Sequence, residues 1–254
     1  MKKSPNIINK LYPLVGVAVV LMLWQALSSA GIIAEYLLPS PVMVFRAFFS
    51  NFPEMMNHAA YSLTESFSGL FASVALGFLF GYCMDRYDSL YKTLYPLLIL
   101  TQTVPVVAIA PLLVLWFGYG MAPKMILIII VCFFPLTIAI LDGFRSVDKD
   151  MIDLMKAMGA KKRQIYTHVK IPSALPNFFS GLKMAVSYAV IGAVIAEWLG
   201  GNQGLGVYMT RVRKSYSFDK MFAVIFLISL LSLILMGIVK LIEKKAMPWK
   251  QTEN

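Results

Sequence analysis

Long apolar runs separated by short polar stretches fill this 254-residue chain, at roughly 12–29, 61–84, 94–117, 124–141, 179–199 and 221–242. Each approaches the roughly 20 residues that a helix needs to cross the hydrocarbon core of a bilayer. The pattern predicts an all-α membrane protein with about six transmembrane helices in a single domain over residues 1–254. Six spans put both termini on one side. Lys and Arg concentrate in the N-terminal tail, the 85–93 and 142–178 loops and the C-terminal tail with Lys244 and Lys245, whereas the 30–60 segment holds only Arg46. By the positive-inside bias both termini are expected to be cytoplasmic. The 200–220 connection conflicts with that bias, because Arg211, Arg213, Lys214 and Lys220 then lie outside, where an acidic partner surface, an anionic solute or plain solvation would suit them.

Departures from uniform hydrophobicity inside the runs mark packing and function. Ser73, Gly77 and Gly81 recur at four-residue spacing, so the second helix should offer a seam for close backbone approach. In the third run Pro96, Pro105 and Pro111 surround Thr101, Gln102 and Thr103, so backbone pairing fails where polar side chains cluster. Such a segment either lines a cavity or only kinks the helix. Gln102, Thr103 and Pro105, with the intramembrane carboxylates Glu65 and Glu197, are candidates for a translocation path. Glu197 reads equally as a solvated residue at the end of the fifth run. Lys183, near the start of that run, can snorkel to the headgroups. The N-terminus, with Lys2, Lys3 and Lys10 before Tyr12–Leu27, looks like a signal peptide, but its long apolar run favours an uncleaved first span.

Composition supports the membrane reading: 59% of residues are hydrophobic, only 14% are charged and the mean hydropathy is +0.71. The net charge of +10 sits in loops without a basic helix face or aromatic platform, which argues against nucleic acid and for anionic lipid headgroups. Cys83 and Cys132 lie in apolar runs and read as small core residues, and His58 and His168 are isolated, so neither metal binding nor catalysis is indicated. The glycine-rich Gly200–Gly206 segment has no strand before it and reads as a turn, not a nucleotide loop. No Gly-x4-Gly-Lys-Ser/Thr pattern occurs, so this chain holds no phosphate loop of that kind.

The 142–178 loop is the sizeable soluble element. Met151, Ile152, Met155 and Met158 precede Gly159, which predicts a short amphipathic helix over about Asp150–Met158. An acidic first turn at Asp150 or Asp153 and Gly159 as C-cap would bound it. A second short helix over Lys161–His168 should stop before Pro172. An amphipathic helix rich in methionine serves either as a membrane-surface element or as a docking surface for a partner.

The loop resembles the signature of permease subunits in ATP-binding-cassette importers, a Glu-Ala-Ala triplet followed by glycine and then Ile-x-Leu-Pro. The triplet falls on Asp153, Leu154 and Met155, the glycine on Gly159 with Ala160 after it, and the tail on Val169, Ile171 and Pro172. Asp replaces Glu and bulkier residues replace both alanines. Leu38–Pro41, Pro111–Gly120, Gly143–Asp148 and Ala196–Gly206 extend the likeness over nearly the whole chain. It is strongest to the branch that imports sulfonates, taurine, nitrate and pyrimidine precursors of thiamine. Glu65 after Ser62 and Leu63 stands where sulfonate-type members tend to carry a basic residue, and a carboxylate there disfavours an anionic cargo. With Met84–Arg86 and Thr101–Pro111, the chain is more similar to permeases for hydroxymethylpyrimidine-type precursors than to sulfonate, taurine or nitrate permeases.

The resemblance implies a type I importer fold, a plasma or inner membrane location and a pore made of two copies of this chain. It implies two cytosolic ATPase subunits carrying ATP and magnesium, an extracytoplasmic solute-binding protein, and no cofactor on this chain. The helix before Gly159 would couple the ATPase to the pore. An ion-coupled secondary transporter, the alternative of another class, would need paired carboxylates near the midplane, and none is evident in the sequence.

Overall fold

The structure, a computed structural model, describes the backbone of residues 7–31 and 33–251, so Lys2 and Lys3 lie outside the described residues. Helix is the only regular structure among them, because a backbone without water to bond must satisfy itself internally. The helices are α1 Ile7–Ser29, α2 Pro41–Ser50, α3 Phe52–Arg86, α4 Asp88–Gln102, α5 Val106–Phe117 and α6 Met121–Arg145. They continue with α7 Lys149–Ala157, α8 Lys162–Ile165, a π-helical turn Tyr166–Lys170, α9 Ile171–Leu199, α10 Leu205–Lys214 and α11 Phe218–Ala246.

Each of the six predicted runs falls on helix, with two changes of form. Among the described residues four stretches are long and apolar enough to cross a membrane, namely α3, α6, Lys162–Leu199 and α11, while the first run enters as the shorter apolar helix Val15–Ser29. The third run is not one span: α4 and α5 meet at 100°, and together they make a fifth candidate. Pro105 caps α5, while the hydroxyls of Thr101 and Thr103 donate to the carbonyls of Leu98 and Leu100 (both 2.7 Å), satisfying groups freed at the end of α4. The fifth span starts earlier than residue 179, and the helix predicted to stop before Pro172 does not stop. The π turn widens the backbone just where the Pro172 ring would strike the preceding turn, so α8 runs through into α9.

One compact unit comprises residues up to Asn57 together with Tyr208–Leu227. Its turn between α1 and α2 is fixed from α1, where Ser28 Oγ donates to Leu38 O (2.8 Å) and Trp24 Nε1 to Pro39 O (3.1 Å). Ser40 then caps α2 by accepting from Met43 N–H (3.3 Å), with Pro41 as first helical residue. Phe48 packs edge-on against Phe226 (5.7 Å), and the Trp24 ring lies tilted against Phe222 (5.6 Å). Arg211 of the basic stretch lies 3.8 Å from Glu54, both exposed.

The second unit comprises His58–Val207 and the chain from Ile228 onward. Its core is the α6–α9 pair, where Ile128, Cys132, Leu136, Ala185, Ala189 and Ala193 are buried. Small residues let these helices close up: a Cβ on Gly143 would lie 2.8 Å from the Cα of Ala174, and one on Gly181 2.6 Å from the Cβ of Ala139. The seam on α3 faces α6. Ser73 Oγ is 3.4 Å from Ile129 O, and a Cβ on Gly81 would approach Ile140 to 2.9 Å. The seam reaches one turn further, to Gly69 against Ile128 (2.5 Å). Lys183 does not snorkel; it pairs with Glu243 of α11. Both cysteines are free thiols.

Candidate functional site

Within the 142–178 loop, α7 is capped at both ends. Asp148 caps α7 by accepting from Asp150 N–H (3.0 Å). At the other end Gly159, at φ +78°, closes a Schellman motif: Gly159 N–H donates to Lys156 O (2.9 Å) and Ala160 N–H to Met155 O (3.0 Å). Ile152 and Met155 turn inward and are half-buried. Met151, Leu154 and Met158, at helical spacing, are 52%, 62% and 75% exposed. Asp153 pairs with Lys156 (2.7 Å) on the exposed side.

Behind α7 the chain is clamped to α3. Asp85, buried at the end of α3, accepts from Lys170 Nζ (2.6 Å) and from the Tyr166 hydroxyl. Arg145, at the end of α6, lies 3.3 Å above the Tyr91 ring and 3.9 Å from Asp88. Of the signature tail, Val169 is buried, Pro172 is half-buried and Ile171 is exposed.

At the opposite end of the unit, polar groups from three segments interlock. Ser62 Oγ donates to Glu197 Oε1 (2.7 Å) and accepts from Leu205 N–H (2.8 Å). Gly206 N–H donates to Glu197 Oε2 (2.6 Å), and Gly204 N–H to His58 Nδ1 (3.1 Å). Glycine is required because a Cβ on Gly206 would lie 2.3 Å from Val194 O. Nearby, Lys124 Nζ donates to Glu65 Oε1 (2.7 Å), both side chains over nine-tenths buried. This pair lines a cavity of about 620 Å³ with Tyr61, Tyr119 and Gly200–Gln203.

A model for binding-protein-dependent transport system inner membrane components matches residues 73–247. The chain belongs to that family. It is the transmembrane permease subunit of an ATP-binding-cassette importer and a multi-pass membrane protein. The permease is 36% identical over 254 residues, all of both chains, to the formylaminopyrimidine transport permease protein ThiX of Halalkalibacterium halodurans. It is 28% identical to the taurine transport system permease protein TauC of Escherichia coli, over 91% of this chain and 87% of that one. In fold it is similar to a chain of an amino acid ABC transporter (TM-score 0.66, 14% identity, 79% of this chain and 98% of that one). It is also similar to a chain of the inward-facing MetNI methionine transporter (TM-score 0.63, 18% identity, 76% and 98%).

Within the permease the expected path residues fall into separate places. Gln102, Thr103 and Pro105 are exposed at the break between α4 and α5. Glu65 lines the cavity at the other end. Glu197, expected on the path or solvated, is 1% exposed and lines neither of these sites; both its oxygens are committed to Ser62 and the Gly206 backbone. His58 is not isolated, since it holds Gly204. Sequence reading missed Lys124, Asp85 and Lys170, because their partners lie 59 to 85 positions away and no periodicity joins them. A lysine in the first turn of a strongly apolar helix was the available signal for Lys124, since an ammonium there requires a counter-charge.

Proposed function

We propose that the permease imports a pyrimidine precursor of thiamine, of the hydroxymethylpyrimidine or formylaminopyrimidine type, through a pore formed by two copies of this chain. ATP and magnesium act on two separate cytosolic ATPase subunits, and an extracytoplasmic binding protein delivers the cargo. Both termini and the 142–178 loop then face the cytoplasm. Helix α7 couples the machinery: Met151, Leu154 and Met158 enter a groove on the ATPase subunit, with Asp153 and Ala160 at its edges. The capped α7 carries ATPase closure through the Asp85 clamp into α3 and α9, and rocking of the packed helices alternates access. Gln102, Thr103 and Pro105 line the path.

The observation that carries the coupling reading is the outward apolar face of α7, held by a capped helix that buries no residue of its own. Large apolar side chains fixed in that way fit a protein groove better than water. The cargo reading rests on the full-length likeness to ThiX. It is tested by reconstituting the permease with the ATPase and binding protein that co-purify with it and measuring ATP-driven uptake of formylaminopyrimidine and of taurine. Uptake of the pyrimidine alone supports the reading, and uptake of taurine alone replaces it with the sulfonate branch.

A further inference from the structure

A second cavity, of about 420 Å³, opens beside the break between α4 and α5, and its volume suits a small organic molecule. Gln102 and Val104 line it from the break, Phe134 from α6, and Met184 and Tyr188 from α9. No lining side chain is charged. Thr101 donates its hydroxyl to Leu98 O, so its proton is already committed. The Gln102 amide and the Tyr188 hydroxyl have no hydrogen-bond partner among the described residues. Two unpaired polar groups thus face a cavity otherwise walled by aromatic rings, a thioether and aliphatic groups.

That combination selects a ligand by chemistry. A primary amide offers a donor and an acceptor side by side, which matches the edge formed by a ring nitrogen and its neighbouring amino group. The rings of Phe134 and Tyr188 and the Met184 sulfur suit the face of a planar aromatic molecule. A sulfonate or carboxylate would bring a charge into a lining that holds no cation, at a large desolvation cost. We propose that this cavity is a cargo-recognition pocket for a neutral, planar, amino-substituted heterocycle, with Gln102 reading the ring edge and Tyr188 supplying a second polar contact. The assignment rests on the pyrimidine reading above and goes further by naming the pocket.

The test uses the reconstituted importer in proteoliposomes with formylaminopyrimidine as probe. Val104 is 43% exposed at the mouth of the cavity, so Val104→Cys in a Cys83→Ser background should react with a maleimide. Saturating formylaminopyrimidine should slow that labelling at least fivefold, taurine should leave it unchanged, and adding Gln102→Leu should abolish the protection. In uptake, Gln102→Leu should raise the KM for formylaminopyrimidine about tenfold and Tyr188→Phe about threefold, as expected for lost hydrogen bonds. An importer that carries formylaminopyrimidine while Val104→Cys labelling ignores it, or while both variants keep the KM, overturns the pocket and leaves the cargo reading intact. Transport of taurine and not of the pyrimidine overturns both.

Discussion

Gly159 offers a test of the proposed coupling helix in which backbone conformation separates from packing. It holds φ +78°, and a Cβ built on it meets nothing within 4 Å. Any effect of a small substitution must then come from forcing an L-residue into the left-handed region, which costs about 1–2 kcal/mol. Asparagine tolerates that region and should lose only a few tenths of a kcal/mol, alanine about 1 and the β-branched valine about 2. Helix α7 has nine residues and buries none of them, so its own stability is small and the loss falls mainly on its last turn. That turn carries Leu154 and Met158. At about 1.4 kcal/mol per factor of ten, Gly159→Asn should retain most ATP-driven uptake, Gly159→Ala should lose several-fold and Gly159→Val more than tenfold. Membrane insertion, measured by the yield of monodisperse protein in detergent, should stay unchanged throughout. Asparagine is larger than alanine, so steric conflict with the ATPase subunit would reverse their order. An uptake ranking with asparagine below alanine refutes the conformational account.

Other expectations follow from single contacts. Leu154→Glu, on a side chain 62% exposed, should leave the fold intact and weaken co-purification of the ATPase subunit at least tenfold, because it puts a charge into the proposed docking contact. Gly206→Ala should lower stability by about 1–3 kcal/mol, read as detergent-resistant thermal unfolding, because its Cβ meets the Val194 carbonyl at 2.3 Å. Lys124→Met should cost about 3–5 kcal/mol by stranding the buried Glu65 carboxylate, and the double variant with Glu65→Leu should recover most of that loss. A double variant as unstable as the sum of the two singles would show that the pair is not a closed unit.

What was legible in the sequence is local. Apolar runs located the helices, Gly159 marked the end of α7, and the four-residue spacing of Ser73, Gly77 and Gly81 located the seam on α3. Each of those signals rests on a period or a backbone preference that a short window contains. Pro172 misled, because a proline ends a helix only if the preceding turn cannot widen, and the π turn at Tyr166–Lys170 does widen. The prolines of the third run did mark an interruption, but the 100° bend that turns it into two helices depends on packing that no window shows.

Glu65 shows where reading by residue type fails and what replaces it. Taken alone, an intramembrane carboxylate argues against an anionic cargo. Lys124 lies 2.7 Å away and cancels its charge, so the pair presents no net sign to a passing solute. The charge selectivity of the permease has to be read from groups that meet the solute without a protein partner of their own. In the cavity beside the broken helix those groups are the neutral amide of Gln102 and the hydroxyl of Tyr188. The proposed preference for an uncharged heterocycle then rests not on Glu65 but on a pocket whose lining residues, from α4, α5, α6 and α9, only the fold brings together.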